Sequence, residues 1–194
     1  MIDGDLLKIK GVESFNPGIT LKTIEAFRIS LKFEYDYILR SNISTIVNIA
    51  RLIDFLEKNP IEYGGGRMLT LQWLDHMCGI KDRKYWNMPF VQGTAIIMSR
   101  NSVILFIDNI DRADKQIIDD VCIGVFFKQL DIPLVRIGNN HSYVNNDGNG
   151  SDDAIFYRNK RSSRSIDICN MRKIIHFLIR MPENSRQIFT SIDR

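Results

Sequence analysis

Short apolar runs of strand character alternate with segments whose apolar residues recur at helical spacing, and this alternation constrains the fold of the chain most. Leu6-Leu7-Lys8-Ile9 reads as a strand; beyond Pro17-Gly18, the residues Ile24, Phe27 and Leu31 share one helical face. Tyr35 to Leu39 reads as a second strand. Ile46, Ile49, Ile53 and Leu56 then return to helical spacing, and Asn59-Pro60 closes that helix. An apolar strand face and an apolar helix stripe must each be buried against another layer, and a strand, helix, strand order makes successive strands parallel. The predicted class is α/β, with a mixed, mainly parallel sheet flanked by helices.

Further along, Gly64-Gly65-Gly66 reads as a turn opening a long loop that carries Trp73, Tyr85 and Trp86. Phe90 to Met98 is the next strand region. Ser99 is placed to cap a helix with Val103, Phe106, Ile107 and Ile110 on its buried face. Asp119-Asp120 opens another helix that ends near Leu130, and Leu134 to Ile137 forms a strand. Residues 139–153, NNHSYVNNDGNGSDD, hold almost no core-forming side chains and are predicted to form a mobile surface loop. A strand at Ala154 to Tyr157, a basic run, and a helix from Ser165 with Ile168, Ile175 and Leu178 inward complete the pattern. Without a repeat or a linker-like stretch, residues 1–194 read as one domain.

Composition narrows the function classes. The chain has 194 residues, 44% of them hydrophobic, enough for a substantial core. Lys and Arg total 26 against 23 Asp and Glu, a balance that argues against a dedicated nucleic-acid binder. Cys78, Cys122 and Cys169 are odd in number and widely separated, so a disulfide framework is not expected. The longest apolar runs are too short to cross a bilayer and the first residues lack a signal-peptide pattern, so a soluble, cytoplasmic protein is predicted. His76, His141 and His176 have no zinc-ligand spacing, and Gly64-Gly65-Gly66 lacks the Lys-Ser/Thr of a phosphate loop. No G-x-S-x-G elbow or catalytic-cysteine pattern appears, which lowers hydrolase readings.

The carboxylate pair within Ile118-Asp119-Asp120-Val121-Cys122-Ile123-Gly124 carries the chemical signal. Asp at a helix start accepts from free backbone N–H groups and suits the positive end of the helix dipole, without any chemistry. Two adjacent carboxylates also divide naturally into different protonation states, since like charges push one pKa upward. Upstream stand Gly93-Thr94-Ala95-Ile96-Ile97-Met98-Ser99-Arg100 and the strand end Tyr35-Asp36-Tyr37-Ile38-Leu39-Arg40-Ser41-Asn42-Ile43-Ser44. In order and spacing these segments resemble the β-1,3-galactosyltransferase and Fringe-like glycosyltransferases, in which "GxGYxLSRD" precedes "(E/D)DVxxGxxLxxLGI". Arg40-Ser41-Asn42-Ile43-Ser44, with Pro17-Gly18-Ile19, Lys22-Thr23 and Tyr157-Arg158-Asn159-Lys160, is similar to a bacterial and viral branch with "RTNxS" at that strand end. The resemblance covers most of residues 5–175.

The resemblance implies a GT-A-like, Rossmann-like fold and transfer of a sugar from a nucleotide sugar to a hydroxyl of a glycan, protein or lipid acceptor, with inversion. It implies Asp120 as general base with Asp119 beside it, Gly93 and Thr94 near the acceptor, and Asn42, Ser44, Arg40, Lys22, Arg158 and Lys160 near the donor. The family's metal-binding DxD triplet is replaced by Asn42-Ile43-Ser44, whose neutral side chains are poor ligands for Mn²⁺ or Mg²⁺. In its place, the run from Arg158 to Arg164 offers cations for diphosphate oxygens, against the plainer reading of a solvated basic surface. Asn42 and Ser44 read equally well as a turn and helix cap. The family's N-terminal β-α-β portion has no counterpart ahead of the first strand read here, so an incomplete donor site is an expectation. An inactive remnant or carbohydrate-binding module, and a nucleic-acid- or phosphate-binding accessory protein using the basic tail, are the competing classes. Trp73 and Trp86 are expected to be buried in the long loop, with sugar stacking the less frequent alternative.

Overall fold

The computed structural model describes residues 2–3, 6–7, 9, 11, 14–139, 142–145, 153–160 and 163–180. Most of the loop anticipated at 139–153 lies outside these residues, as do His141, Arg161 and Ser162. A short antiparallel ribbon, β1 (Ile2–Asp3) with β2 (Leu6–Leu7), precedes helix α1 (Gly18–Ser30). There follow β3 (Tyr37–Ser41), β4 (Thr45–Val47), α2 (Ile49–Lys58), β5 (Tyr63–Gly65) and β6 (Met68–Thr70). Next come β7 (Pro89–Val91), β8 (Ala95–Ser99), α3 (Arg100–Asp108) and α4 (Asp119–Gln129). The described chain closes with β9 (Leu134–Arg136), β10 (Tyr143–Asn145), β11 (Phe156–Arg158) and α5 (Arg164–Arg180).

The central sheet has the order β3-β8-β5-β9. Strand β8 is antiparallel to both β3 and β5, and β5 is parallel to β9. Strands β3, β5 and β9 therefore run one way, with β8 inserted against them. The mainly parallel pairing is corrected to a mixed one, because β8 lies between β3 and β5 and is antiparallel to both. A second sheet, β10-β11-β4, and a β6-β7 ribbon lie beside it. The molecule is a mixed α/β fold, and no helix among the described residues is long and apolar enough to cross a membrane.

Strand β8 is buried on both faces, which accounts for its unbroken apolar run. Ile96 and Met98 join the cluster built with α1, α3 and α4, whereas Ala95 and Ile97 join the cluster of Leu52 and Leu56 of α2 with Phe156 of β11. Ser99 caps α3 by accepting from the Ser102 backbone N–H. Aromatic contacts fasten α3 and α4 to the sheet: Phe106 meets Phe126 edge-on with centroids 4.9 Å apart, and Phe127 stacks on Tyr63 at 4.8 Å. Such pairs contribute about 1 kcal/mol each beyond their burial.

Several local readings are corrected. Gly64-Gly65-Gly66 is not a turn, since Gly64 and Gly65 lie in the central strand β5. A Cβ on Gly65 would stand 2.2 Å from the Ala95 carbonyl oxygen, so only glycine allows this approach. Ile46 belongs to β4, and α2 buries Ala50, Leu52 and Leu56 while Ile49 is exposed. In α5 the inward positions are Asp167, Asn170 and Ile174, with Leu178 partly packed; Ile168 and Ile175 face outward.

Candidate functional site

Helix α4 begins at the carboxylate pair, and its seat against the rest of the fold determines where those carboxylates point. Helix α1 holds the approach to it: Thr20 Oγ1 donates to the Ile117 carbonyl at 2.6 Å and Thr23 Oγ1 to Asp119 Oδ2 at 2.7 Å. Farther along, Gly124 lets α4 approach β7, where an added Cβ would lie 2.5 Å from Phe90 Cβ and 2.7 Å from the Pro89 carbonyl oxygen. The first turn is capped from within. Asp119 Oδ1 accepts from the Asp120 N–H and Asp120 Oδ1 from the Val121 N–H, whereas the N-cap residue Ile118 contributes no side-chain bond.

The two carboxylates occupy different environments. Asp119 is 1% exposed, and its Oδ2 receives Arg40 Nη2 at 2.5 Å as well as Thr23. Arg40 also donates to the Gly93 carbonyl through Nη1. Asp119 is thereby a structural anion with both oxygens engaged. Asp120 turns to a cavity of about 500 Å³, and its Oδ2 accepts from the Gly93 N–H at 2.9 Å. Burial, and then the neighbouring Asp119 charge, push the Asp120 carboxyl up to about 6, against the lowering pull of the Gly93 and Val121 N–H groups and Arg40. A carboxylate titrating there is suited to accept a proton near neutrality.

Of the residues anticipated from sequence, Asp119, Asp120, Arg40, Asn42, Gly93, Arg158 and Lys160 all line this cavity. They come from α4, β3 and its end, the β7–β8 connection, and the end of β11. Arg158 has no ion-pair partner among the described residues. Three candidates lie elsewhere. Thr94 is fully buried and outside the lining, with its carbonyl accepting from Ser41 Oγ. Ser44 is buried and its hydroxyl accepts from Arg164 Nη1 at 3.2 Å. Lys22 lies on α1 and does not line the cavity. Arg164, the last cation of the basic run, also donates to the Ile43 carbonyl, so it latches α5 to the β3–β4 turn instead of facing the cavity.

Asn42 does not form a hard-cation site. Its Oδ1 accepts from the Ser44 N–H and from Thr45 Oγ1, both at 3.0 Å, and its Nδ2 donates to the Gly93 carbonyl. This is the turn geometry weighed from sequence, and it leaves the triplet without the anionic oxygens a divalent ion needs. No group of three or more His, Cys, Asp or Glu side chains among the described residues is arranged to hold a metal ion. Cys78, which also lines the cavity, has a thiol pushed up to about 12 by burial and by Asp75, so it is not a thiolate nucleophile near neutrality.

Thr23 is the partner missed from sequence as a site residue. Its signal was its place one turn after Thr20 on the inward face of α1. Fold and cavity together define a mixed α/β protein whose sheet ends hold an acidic helix start facing two basic side chains. The chain matches no protein-family model, and no curated protein matches it.

Proposed function

We propose that the protein is a glycosyltransferase that moves a sugar from a nucleotide sugar to an acceptor hydroxyl with inversion. The observation that carries this reading is the shared cavity: Asp120, its carboxyl raised to about 6, faces the same space as Arg158 and Lys160. The motif resemblance supports it as well, since seven of the ten residues it singles out, drawn from four separate segments, line that cavity.

In this reaction the acceptor oxygen attacks the anomeric carbon as the bond from that carbon to the diphosphate oxygen breaks. The hydroxyl proton passes to Asp120, and the departing nucleoside diphosphate carries away the bonding electron pair. Arg158 and Lys160 stabilise the charge that develops on the diphosphate. Arg40 is committed to Asp119 and Gly93, so its part is to position the Asp119–Asp120 turn. No step passes through a divalent ion, because the Asn42 and Ser44 side chains do not supply a fitting donor set.

A panel of nucleotide sugars tests the proposal by thermal stabilisation and by nucleoside diphosphate release in the presence of acceptor glycans. At least one donor is expected to raise the melting temperature at millimolar concentration. Asp120→Asn is expected to fold and bind that donor while transfer falls by about 10³-fold or more. Wild-type turnover in that variant removes Asp120 from the role of base. The engagement of Asn42 within its own turn favours a second reading, sugar-nucleotide binding without transfer. Donor stabilisation with no product from any acceptor supports that reading instead.

A further inference from the structure

Trp73 departs from the buried loop aromatic anticipated from sequence. It follows β6 and is 44% exposed while lining the cavity that holds Asp120. Its ring contact is with Phe90, centroids 6.3 Å apart at an interplanar angle of 61°, so the two rings are not stacked face to face. Trp86 contrasts with it: its indole Nε1 is buried and the Arg83 guanidinium lies 4.7 Å from its ring centroid. Phe15, half exposed, and Ile19 add apolar surface to the same cavity.

An open indole in a cavity with hydrogen-bonding side chains suits a ligand that is apolar on one face and rich in hydroxyls at its edge. Asp75, two residues from Trp73, also lines the cavity and accepts from the Cys78 N–H at 3.0 Å. Its anionic oxygen receives hydroxyl donors but repels phosphate, and Arg158 and Lys160 are the groups that attract phosphate. These chemistries separate a place for a neutral sugar from a place for a diphosphate.

We propose that Trp73 is the stacking platform for a pyranose ring of the acceptor glycan, with Asp75 accepting hydrogen bonds from that ring's hydroxyls. This assignment rests on the transferase reading for the word acceptor, but ring binding is measurable without transfer. The two indole N–H signals of the ¹⁵N-labelled full chain are distinguished by Trp73→Phe and followed during titration with methyl β-D-galactopyranoside and methyl β-D-glucopyranoside. Mannitol serves as the acyclic control and uridine monophosphate as the nucleotide probe.

The Trp73 signal is expected to shift saturably with a pyranoside and not with mannitol, while the Trp86 signal stays in place. Asp120→Asn retains that shift even as transfer is lost, so failure of the base assignment is distinguishable from failure of the platform. In an assay with an identified acceptor, Trp73→Ala raises acceptor KM about tenfold with donor KM unchanged, and Trp73→Tyr restores most of the loss. A Trp73 signal that no pyranoside moves overturns the assignment. So does one that responds to uridine monophosphate in place of the pyranosides, which marks a base-stacking surface.

Discussion

Asp119 and Asp120 are neighbours of identical chemistry, and their surroundings give them opposite tasks. Asp119 is neutralised by Arg40 and bound by Thr23, whereas Asp120 is held up to about 6 by burial and by Asp119 itself. The ordinary carboxyl value is 3.8, so between that value and about 6 the unfolded chain releases a proton the folded protein keeps. Stability therefore falls as pH rises through this window, by up to about 3 kcal/mol, and levels above it. Denaturant unfolding from about pH 4 to about pH 7 is expected to show this fall in the wild type and not in Asp120→Asn. On the proposed transferase reading, transfer has the opposite dependence, with kcat/KM expected to rise through about 6 as Asp120 loses its proton. Arg40→Met, which leaves Asp119 buried and unpaired, is expected to cost about 3 kcal/mol, and adding Asp119→Asn to recover most of it. A double-mutant cycle by chemical denaturation measures that coupling.

At the scale of elements, the position of the acidic turn depends on how closely α4 lies on β7. Gly124 permits that approach, and an alanine methyl there meets backbone and Cβ atoms that have no rotamer by which to withdraw. Gly124→Ala is expected to destabilise by about 2 kcal/mol and, on the proposed transferase reading, to reduce transfer further than unfolding explains, because the displaced helix carries Asp120 with it. Denaturation midpoints and turnover under fully folded conditions separate these effects. The helix start at Asp119, the Ser99 cap, and the burial of Phe27, Val103 and Phe106 were legible in local sequence, because capping and helical periodicity act over a few residues. Strand β5 was not. Its glycines carry the local signature of a turn, and only the close approach of Val135, Ala95 and Val91 explains them. In α5, polar Asp167 and Asn170 lie inward where the apolar period favoured Ile168 and Ile175, an arrangement dictated by packing on β4 and β11.

Across the whole molecule, the cavity assembles side chains from segments separated by more than a hundred residues, with Phe15 at one end of the chain order and Lys160 at the other. If, on the proposed transferase reading, Arg158 and Lys160 take the place of a metal ion at the diphosphate, a chelator leaves turnover unchanged, and Arg158→Ala raises donor KM about tenfold with a smaller effect on acceptor KM. Steady-state kinetics with and without chelator measure both outcomes. The sequence by itself determined the alternation of strands and helices and the helix that opens on the acidic pair, since each arises from periodicity and capping within a short stretch. Only the tertiary structure decided that β8 lies antiparallel between β3 and β5, that Arg40 claims Asp119 and leaves Asp120 to the cavity, and that Trp73 is open where Trp86 is covered. Those outcomes depend on desolvation and contact between residues far apart in the chain, which no local pattern encodes.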